Sequence, residues 1–524
     1  MKGLDATNIW LDEANSWGVA RLPWGAMMDN LRSSPLGPLY FVLLKLWMML
    51  FGDSEAALRA PSLIASVLVI PVTYVIGVRA FSRRAAVVGA ALLALSPLQL
   101  YFAQEARMYM LLTLFAVLYF LAYLRWRDAT SAPGALVWYA IAGTVMVYTN
   151  IISATLILAL NIDAFWLLAQ RGWRQRSGGA AGAPAGSARP GRAAGMWIVA
   201  NAAITVGFLL YLLTVRFGAA GASQGWRGAL SVADSLRALF QYPLVAFHGV
   251  YYYANDFSAA AAELQRYPSM PAFHRFAELF LVQPLTLIVV VLALGAGASR
   301  ILRGSRRAVV LALLVPLAIG TIVSVSEQLD LTRYFLFASP FLFLLIGYGV
   351  VRMGETSGAI AAALALVILL LTTGFGIRGY ERVDARDSDY RPVAGTLARG
   401  DSAVSVILVQ PPEAAEPLAY YLRNEHTAPV RAVPPEAPVA RSLPVAPGAR
   451  AWLVLDYRSH LYGDSPDVLR DSLGVRVLSD RYAAGAGGGV RLLLLEIERP
   501  ITANASLSRT TVDRRTDQAM SRIQ

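Results

Sequence analysis

Apolar residues run along this chain in long stretches rather than at a helical or strand period, at 60–79, 85–103, 108–125, 135–149, 151–168, 195–215, 277–298, 308–326, 334–351 and 358–377. A helix needs about 20 apolar residues to cross a bilayer, so the pattern predicts about ten spanning helices. Near Asn150 it allows either a tight hairpin or one long broken element. Residues 36–51 are apolar and aromatic but shorter, contain Pro38 and carry Lys45, which predicts a helix lying in the membrane interface. Residues 1–35 hold neither a span nor a signal peptide. Beyond Gly379 the period changes. Short apolar runs at 404–409, 451–455 and 490–497 predict buried strands, and 414–423 and 466–473 predict helices between them. Residues 500–524 are polar and predict disorder.

The expected fold is therefore mainly α, a polytopic transmembrane helix bundle with outer-loop interfacial helices and a small C-terminal α/β domain outside the membrane. Composition agrees, with 56% hydrophobic and only 15% charged residues over 524 positions. The net charge of +12 has the wrong distribution for nucleic acid, because arginines punctuate apolar runs instead of forming a basic face with interleaved aromatics. With no cysteine there is no disulfide, thiolate metal site or cysteine nucleophile.

Arginines crowd alternate loops: 79, 83 and 84, then 125 and 127, then 171, 174, 176, 189 and 192, then 300, 303, 306 and 307, then 352. The positive-inside rule puts these loops in the cytoplasm. Residues 1–56 are then a first outer loop, 57–379 the bundle, 380–499 an extracytoplasmic domain and 500–524 a tail. An even number of spans with an outer C-terminus also requires an outer N-terminus, so a first helix is expected upstream of Met1, for a total of about eleven. Residues 177–195, rich in Gly, Ala, Ser and Pro, read as a flexible cytoplasmic linker. Residues 217–277 hold Tyr242, His248, Tyr251, Tyr252, Tyr253, Tyr267 and His274 and read either as an interfacial aromatic belt or as a lid over a site.

Four polar clusters fall at the same outer depth: Asp12-Glu13, Arg59-Ala60-Pro61-Ser62, Gln104-Glu105-Ala106-Arg107-Met108-Tyr109, and Arg333-Tyr334. Charges at helix ends are commonly snorkelling anchors, but Glu105 and Arg107 share a turn too short for both to be freely solvated. Asn161 and Asp163 lie within a span and read as a structural polar contact near its cytoplasmic end.

The order of these clusters, with Trp10-Leu11-Asp12-Glu13-Ala14, Pro38-Leu39-Tyr40, Leu46-Trp47, Phe51-Gly52, Leu58-Arg59-Ala60-Pro61-Ser62, Arg79-Ala80-Phe81, Ser96-Pro97, Tyr148-Thr149-Asn150 and Arg333-Tyr334-Phe335, resembles the C-type glycosyltransferases of the protein O-mannosyltransferase and aminoarabinose-transferase superfamily. The likeness is dense over 9–127 and thin beyond. It implies a catalytic aspartate at Asp12, with Glu13 second, and a polyprenyl-phosphate-linked sugar entering from the lipid bilayer. It also implies one more helix before the aspartate. Where the family often has His-Pro-Pro, this chain has Leu36-Gly37-Pro38, so a donor contact from that histidine is absent.

The residue types suit the chemistry. Phosphate is already a good leaving group and needs cations, for which Arg59, Arg107 and Arg333 are candidates. The acceptor hydroxyl needs one base, assigned to Asp12, and in-line displacement inverts the anomeric carbon. Tyr109 and Tyr334 are candidates to bond the phosphate or line the sugar site, and Glu105 to orient Arg107 or a sugar hydroxyl. The acceptor is left open among protein, lipid and envelope glycan, and no His or carboxylate spacing commits to a metal, although a divalent cation bridging Asp12 or Glu13 to phosphate is compatible. A lipid-linked sugar flippase or secondary transporter is the alternative, resting on Asp163.

Overall fold

A computed structural model describes residues 4–32, 37–128, 133–176, 190–214, 231–248, 281–327, 331–382 and, with short gaps, 389–497. The chain divides into two compact units. One comprises Met1–Leu4 and Val19–Val383; the other comprises Asp5–Gly18 and Asp384–Gln524.

The first unit is helical. In chain order it holds α2 (Trp24–Arg32), α3 (Pro38–Phe51), α4 (Glu55–Ala80), α5 (Arg83–Leu95), α6 (Pro97–Ala103), α7 (Tyr109–Asp128), α8 (Pro133–Thr149), α9 (Ala154–Arg176), α10 (Pro190–Thr214), α11 (Val232–His248), α12 (Gln283–Ile301), α13 (Ser305–Glu327), the single turn α14 (Leu331–Tyr334), α15 (Ser339–Thr356) and α16 (Ala359–Arg382). Among the described residues, seven helices are long and apolar enough to cross a membrane, and an eighth crossing is the pair α5 and α6, bent by 56°. The protein is a multi-pass membrane protein. Each of the ten predicted stretches is helical over its described residues. Near Asn150 the chain breaks: α8 ends at Thr149, and the Asn150 side chain accepts from the Ile152 amide, starting the next element in the manner of an N-cap.

Helix α3 is buried on one side only. Tyr40, Phe41 and Leu44 are buried while Met49, Leu50 and Phe51 are exposed. Lys45 differs from a solvated anchor: its Nζ donates to the carbonyls of Ala20 (3.0 Å) and Leu22 (2.6 Å), satisfying groups left over at a helix C-terminus.

Helix α15 is the most enclosed, with every residue from Ser339 to Val350 buried. It approaches α5 where glycines leave room. A Cβ on Gly347 would lie 2.6 Å from the Ala85 carbonyl oxygen, which is backbone and cannot yield.

The arginine-bearing helix ends converge. Arg79 pairs with Asp128 at 3.2 Å. Asp163 on α9 is fully buried, accepting from Tyr123 Oη (2.5 Å), Arg127 Nε (2.9 Å) and Arg307 Nε (2.5 Å). The rest of the Arg127 guanidinium donates to Ser305 Oγ (2.9 Å) and the Gly304 carbonyl (2.8 Å). Asp163 is thus a joint between α7, α9 and α13. Asn161 bonds Asn201 at 2.8 Å and joins α9 to α10.

Of the aromatic residues of the 217–277 segment, Tyr242 and His248 are described, and both are buried inside this unit. Tyr242 Oη donates to the Phe335 carbonyl (2.7 Å), and His248 shares a hydrogen bond with Thr286 (3.0 Å). Tyr251, Tyr252, Tyr253, Tyr267 and His274, the 177–189 part of the linker and the 500–524 tail lie outside the described residues.

The second unit holds α17 (Arg391–Ala398), α18 (Ala415–Leu422), α19 (Pro466–Leu473) and five strands: β1 (Val404–Gln410), β2 (Val430–Ala432), β3 (Arg450–Asp456), β4 (Val475–Ala483) and β5 (Val490–Ile497). Sheet order is β2-β1-β3-β5-β4, with β2, β1 and β3 parallel and β5 antiparallel to both β3 and β4. Leu408, Leu453 and Leu493 pack on one face, and Val409, Val454 and Leu492 on the other. The three predicted strands and two predicted helices are present, while β2 and β4 were not anticipated. A buried guanidinium ties the β4–β5 edge. Arg491 grips the Asp480 carboxylate in a bidentate pair (2.9 and 2.7 Å) and donates to the Tyr462 carbonyl (3.0 Å). The Asp480 bond raises the Arg491 pKa against the opposing effect of desolvation, so the guanidinium stays charged.

Replacing Asp163 by Ala leaves two arginines without their shared carboxylate, and stability in detergent, measured by denaturant titration, is expected to fall by about 3–5 kcal/mol; an unchanged midpoint would show that the arginines find other partners. Arg491→Lys, which cannot form the bidentate pair, is expected to weaken the C-terminal domain by about 1.5–3 kcal/mol, read as earlier proteolysis between 389 and 497 while the bundle stays intact.

Candidate active site

The acids sit on α1 (Leu11–Arg21), in the part that belongs to the second unit up to Gly18. Their neighbours in sequence have different fates. Glu13 is 0% exposed, and its Oε2 accepts from the Trp10 amide at 3.4 Å, the half of a capping box in which the third helical residue reaches back to the first free N–H. Asp12 is part-exposed and lies off the buried stripe of Ile9, Glu13, Ser16 and Trp17; its carbonyl accepts from Ser16 Oγ (3.0 Å). Both acids also favour the positive end of the helix dipole. Of the two carboxylates, Asp12 is the one with access to solvent.

The remaining candidates belong to the first unit. Arg59, one turn into α4, is 0% exposed and donates through Nη1 to the Leu4 carbonyl at 2.7 Å. Three residues on, Ser62 Oγ donates to the carbonyl of Arg107 (3.2 Å), pinning α4 to the turn that opens α7. In that turn Glu105 is 1% and Arg107 5% exposed, and the Arg107 amide donates to the Glu105 carbonyl at 2.8 Å. These charges are buried rather than snorkelling, which is costly unless partners or a ligand compensate.

The Ser96-Pro97 pair bends the chain one short helix ahead of this turn. Ser96 adopts the extended conformation favoured before proline and caps α6 through its hydroxyl, producing the bend between α5 and α6. Gln99 on α6 then donates to Ser339 Oγ at the start of α15 (2.6 Å).

Aromatic rings complete the group. The Arg107 guanidinium stands 5.9 Å from the Tyr109 ring centre. Tyr109 meets Phe102 (5.2 Å) and Tyr334 (6.0 Å) edge to face. Glu105, Arg107, Tyr109 and Tyr334 are therefore gathered at the first-residue end of α7, with Arg59 three residues before the Ser62 contact on α4. Arg333, half-buried, is the chain neighbour of Tyr334.

Beside this group an apolar cavity of about 240 Å³ lies between α3, α4 and α7, lined by Tyr40, Leu44, Trp47, Pro61, Ser62 and Leu111 among others. Gly37 matters here. A Cβ on it would lie 2.2 Å from the Tyr148 carbonyl oxygen, so α3 enters directly against the end of α8, and the Gly37 and Tyr148-Thr149-Asn150 motifs are one contact. Sequence reading did not single out Ser62 as a bridge to Arg107, nor Gln99; a hydroxyl and an amide in apolar helices are the signals for both. Among the described residues no three His, Asp or Glu side chains gather as a metal site.

Residues 33–183 match the family model described as dolichyl-phosphate-mannose-protein mannosyltransferase. That region contains Arg59, Glu105, Arg107 and Tyr109 and overlaps the stretch on which the sequence resemblance rests. No curated protein matches the chain significantly. Among solved structures, ArnT from Cupriavidus metallidurans bound to undecaprenyl phosphate is similar at 15% identity over 96% of each chain, with a TM-score of 0.45. The Archaeoglobus fulgidus oligosaccharyltransferase is similar at 12% identity over 86% of this chain and 64% of that one, TM-score 0.45. The arabinofuranosyltransferase AftD from Mycobacteria is similar at 15% over 95% of this chain and 40% of that one, TM-score 0.45. At these identities and TM-scores no residue role passes from them to this chain.

Glu13→Gln, which keeps an acceptor for the Trp10 amide, is expected to retain activity, whereas Glu13→Ala is expected to loosen α1 by about 1 kcal/mol, seen as faster amide exchange at Trp10. Equal loss of turnover in both variants would make Glu13 more than a cap.

Proposed function

We propose that this protein is a C-type glycosyltransferase that moves a sugar from a polyprenyl-phosphate donor to an acceptor hydroxyl on the outer face of a cytoplasmic membrane, with inversion at the anomeric carbon. The observation that carries the reading is the buried group of Arg59, Arg107 and Tyr109, with part-exposed Tyr334 against Tyr109, beside an apolar cavity, within or next to a region that matches a lipid-phosphate mannosyltransferase family. A substrate with a long apolar tail and an anionic head needs both features close together in a protein embedded in lipid.

In this scheme the prenyl chain enters the α3–α4–α7 cavity from the bilayer. Arg59 and Arg107, with Arg333, neutralise the charge that grows on the departing phosphate; burial lowers the local dielectric and makes each guanidinium more effective than it would be in water. Tyr109 and Tyr334 supply hydroxyls to phosphate or sugar, and Glu105 orients Arg107 or a sugar hydroxyl. Asp12 takes the acceptor proton as the hydroxyl attacks C1, while the phosphate leaves with the electron pair of the broken C–O bond. Glu13 supports Asp12 by holding the helix start. The transporter alternative rested on Asp163, and that carboxylate is held by two arginines and a tyrosine, the arrangement of a joint rather than of a group that exchanges ions.

Asp12→Asn is expected to lower turnover about 10²–10⁴-fold while leaving insertion and folding unchanged. Arg107→Ala is expected to weaken donor binding and turnover together, with Arg107→Lys recovering part of the loss. The assay is transfer from a panel of radiolabelled polyprenyl-phosphate sugars to membrane extract. No transfer from any donor by inserted, folded protein, or full activity in Asp12→Asn, would overturn the respective assignment.

A further inference from the structure

We propose that the C-terminal α/β domain is the mount of the acid-bearing segment, and that Tyr421 is a positioning residue for Asp12; the catalytic half of this inference rests on the reading of Asp12 as the base. Residues 5–18 cannot hold their own shape. An isolated helix of 11 residues is marginal in water, and α1 also contains Asn15, Ser16 and Gly18, which are poor helix formers. Something else must fix the segment, and the compact unit to which it belongs shows what does.

Three ties bracket Asp12. Before it, Arg391 Nη2 donates to the Asp5 carbonyl (3.0 Å), and the Ile9 amide donates to Tyr421 Oη (2.7 Å) across 412 positions of sequence. After it, the buried Trp17 ring meets Tyr420 edge to face at 5.2 Å and 88°. The two tyrosines are consecutive on α18, and their rings contact each other at 5.0 Å. Each is backed by an arginine, with Arg391 6.0 Å from the Tyr421 ring centre and Arg423 4.0 Å from that of Tyr420. Close behind, a Cβ on Gly18 would meet Glu416 Oε2 at 2.7 Å, so this end of the segment lies against the same helix.

The Tyr421 bond has the largest leverage. Ile9 is two residues before the first helical position, and the next amide, that of Trp10, is capped by Glu13. Successive backbone donors are thus fixed by Tyr421 and then Glu13, which sets the direction in which α1 leaves and with it where the Asp12 carboxylate stands. Misplacing a catalytic group by about 1 Å can cost on the order of 10²-fold in rate. The domain therefore does not need to touch substrate in order to matter for turnover.

Tyr421→Phe tests this, because it keeps the ring over Arg391 and removes only the oxygen that accepts from Ile9. The full-length protein in lipid nanodiscs is compared with its parent by hydrogen exchange of peptides covering 5–18 and by steady-state transfer from the polyprenyl-phosphate sugar the parent uses. Expected are at least about tenfold faster exchange at Ile9, unchanged exchange in β1, β3 and β5, and a kcat lowered about 10–100-fold with the donor KM changed less than about twofold. Tyr420→Leu, which removes the Trp17 contact instead, is expected to act in the same direction. Unchanged exchange at Ile9 overturns the mount. Faster exchange with unchanged kcat overturns the positioning role, and faster exchange spread over the strands reduces Tyr421 to a fold-stabilising residue and also overturns it. Wild-type turnover by Asp12→Asn in the same assay would sink the base assignment and the positioning role with it, while the exchange result would still decide whether Tyr421 holds the segment.

Discussion

Hydrocarbon offers no water to a charge, and the helical unit is arranged around that constraint at the two ends of α7. This helix is 20 residues long, about 30 Å at 1.5 Å per residue, the thickness of a bilayer core. At its last turn Arg127 and Asp163 draw in α9 and α13. At its first turn Glu105, Arg107 and Tyr109 draw in α4 through Ser62 and α14 through Tyr334. Between these polar levels α7 is lined by apolar and aromatic residues, including a stacked pair of hydrogen-bonded tyrosines, Tyr119 and Tyr139.

The two levels are built differently. Around Asp163 every polar atom of Arg127 has a protein partner, and the carboxylate receives a tyrosine and two arginines. Such a knot locks three helices in register. The level at Arg59 and Arg107 concentrates buried cations near an apolar cavity, a combination that suits an anionic lipid. Charge burial serves as a joint in one place and, in the proposed reading, as a binding site in the other.

Glycosyl transfer from a phosphate separates two tasks, neutralising the leaving group and deprotonating the acceptor. In the proposed reading the candidates for the first task are guanidiniums of the bundle and the candidate for the second is Asp12, on the unit that contains the α/β domain. The fold of the small domain does not by itself reveal a function. Its link to catalysis is proposed to lie in the tyrosines that hold the N-terminal segment.

The sequence by itself determined the membrane class, the positions of the apolar helices and the strands β1, β3 and β5, because apolar run length and turn chemistry are local properties. It also singled out Arg59, Glu105, Arg107, Tyr109 and Tyr334 as candidates, because polar and charged residues next to apolar runs stand out; of these, Arg107, Tyr109 and Tyr334 form a chain of ring contacts. Strand β4 escaped because its alternation is diluted by Arg476, Asp480 and Arg481, and β2 because three residues make no period. Tertiary structure alone decided that Glu13 is buried as a cap while Asp12 keeps solvent access, that Asp163 joins three helices, and that Ile9 answers to Tyr421. These depend on which residues distant in sequence become neighbours. A hydrogen bond across 412 positions leaves no periodicity in the chain from which it could be read.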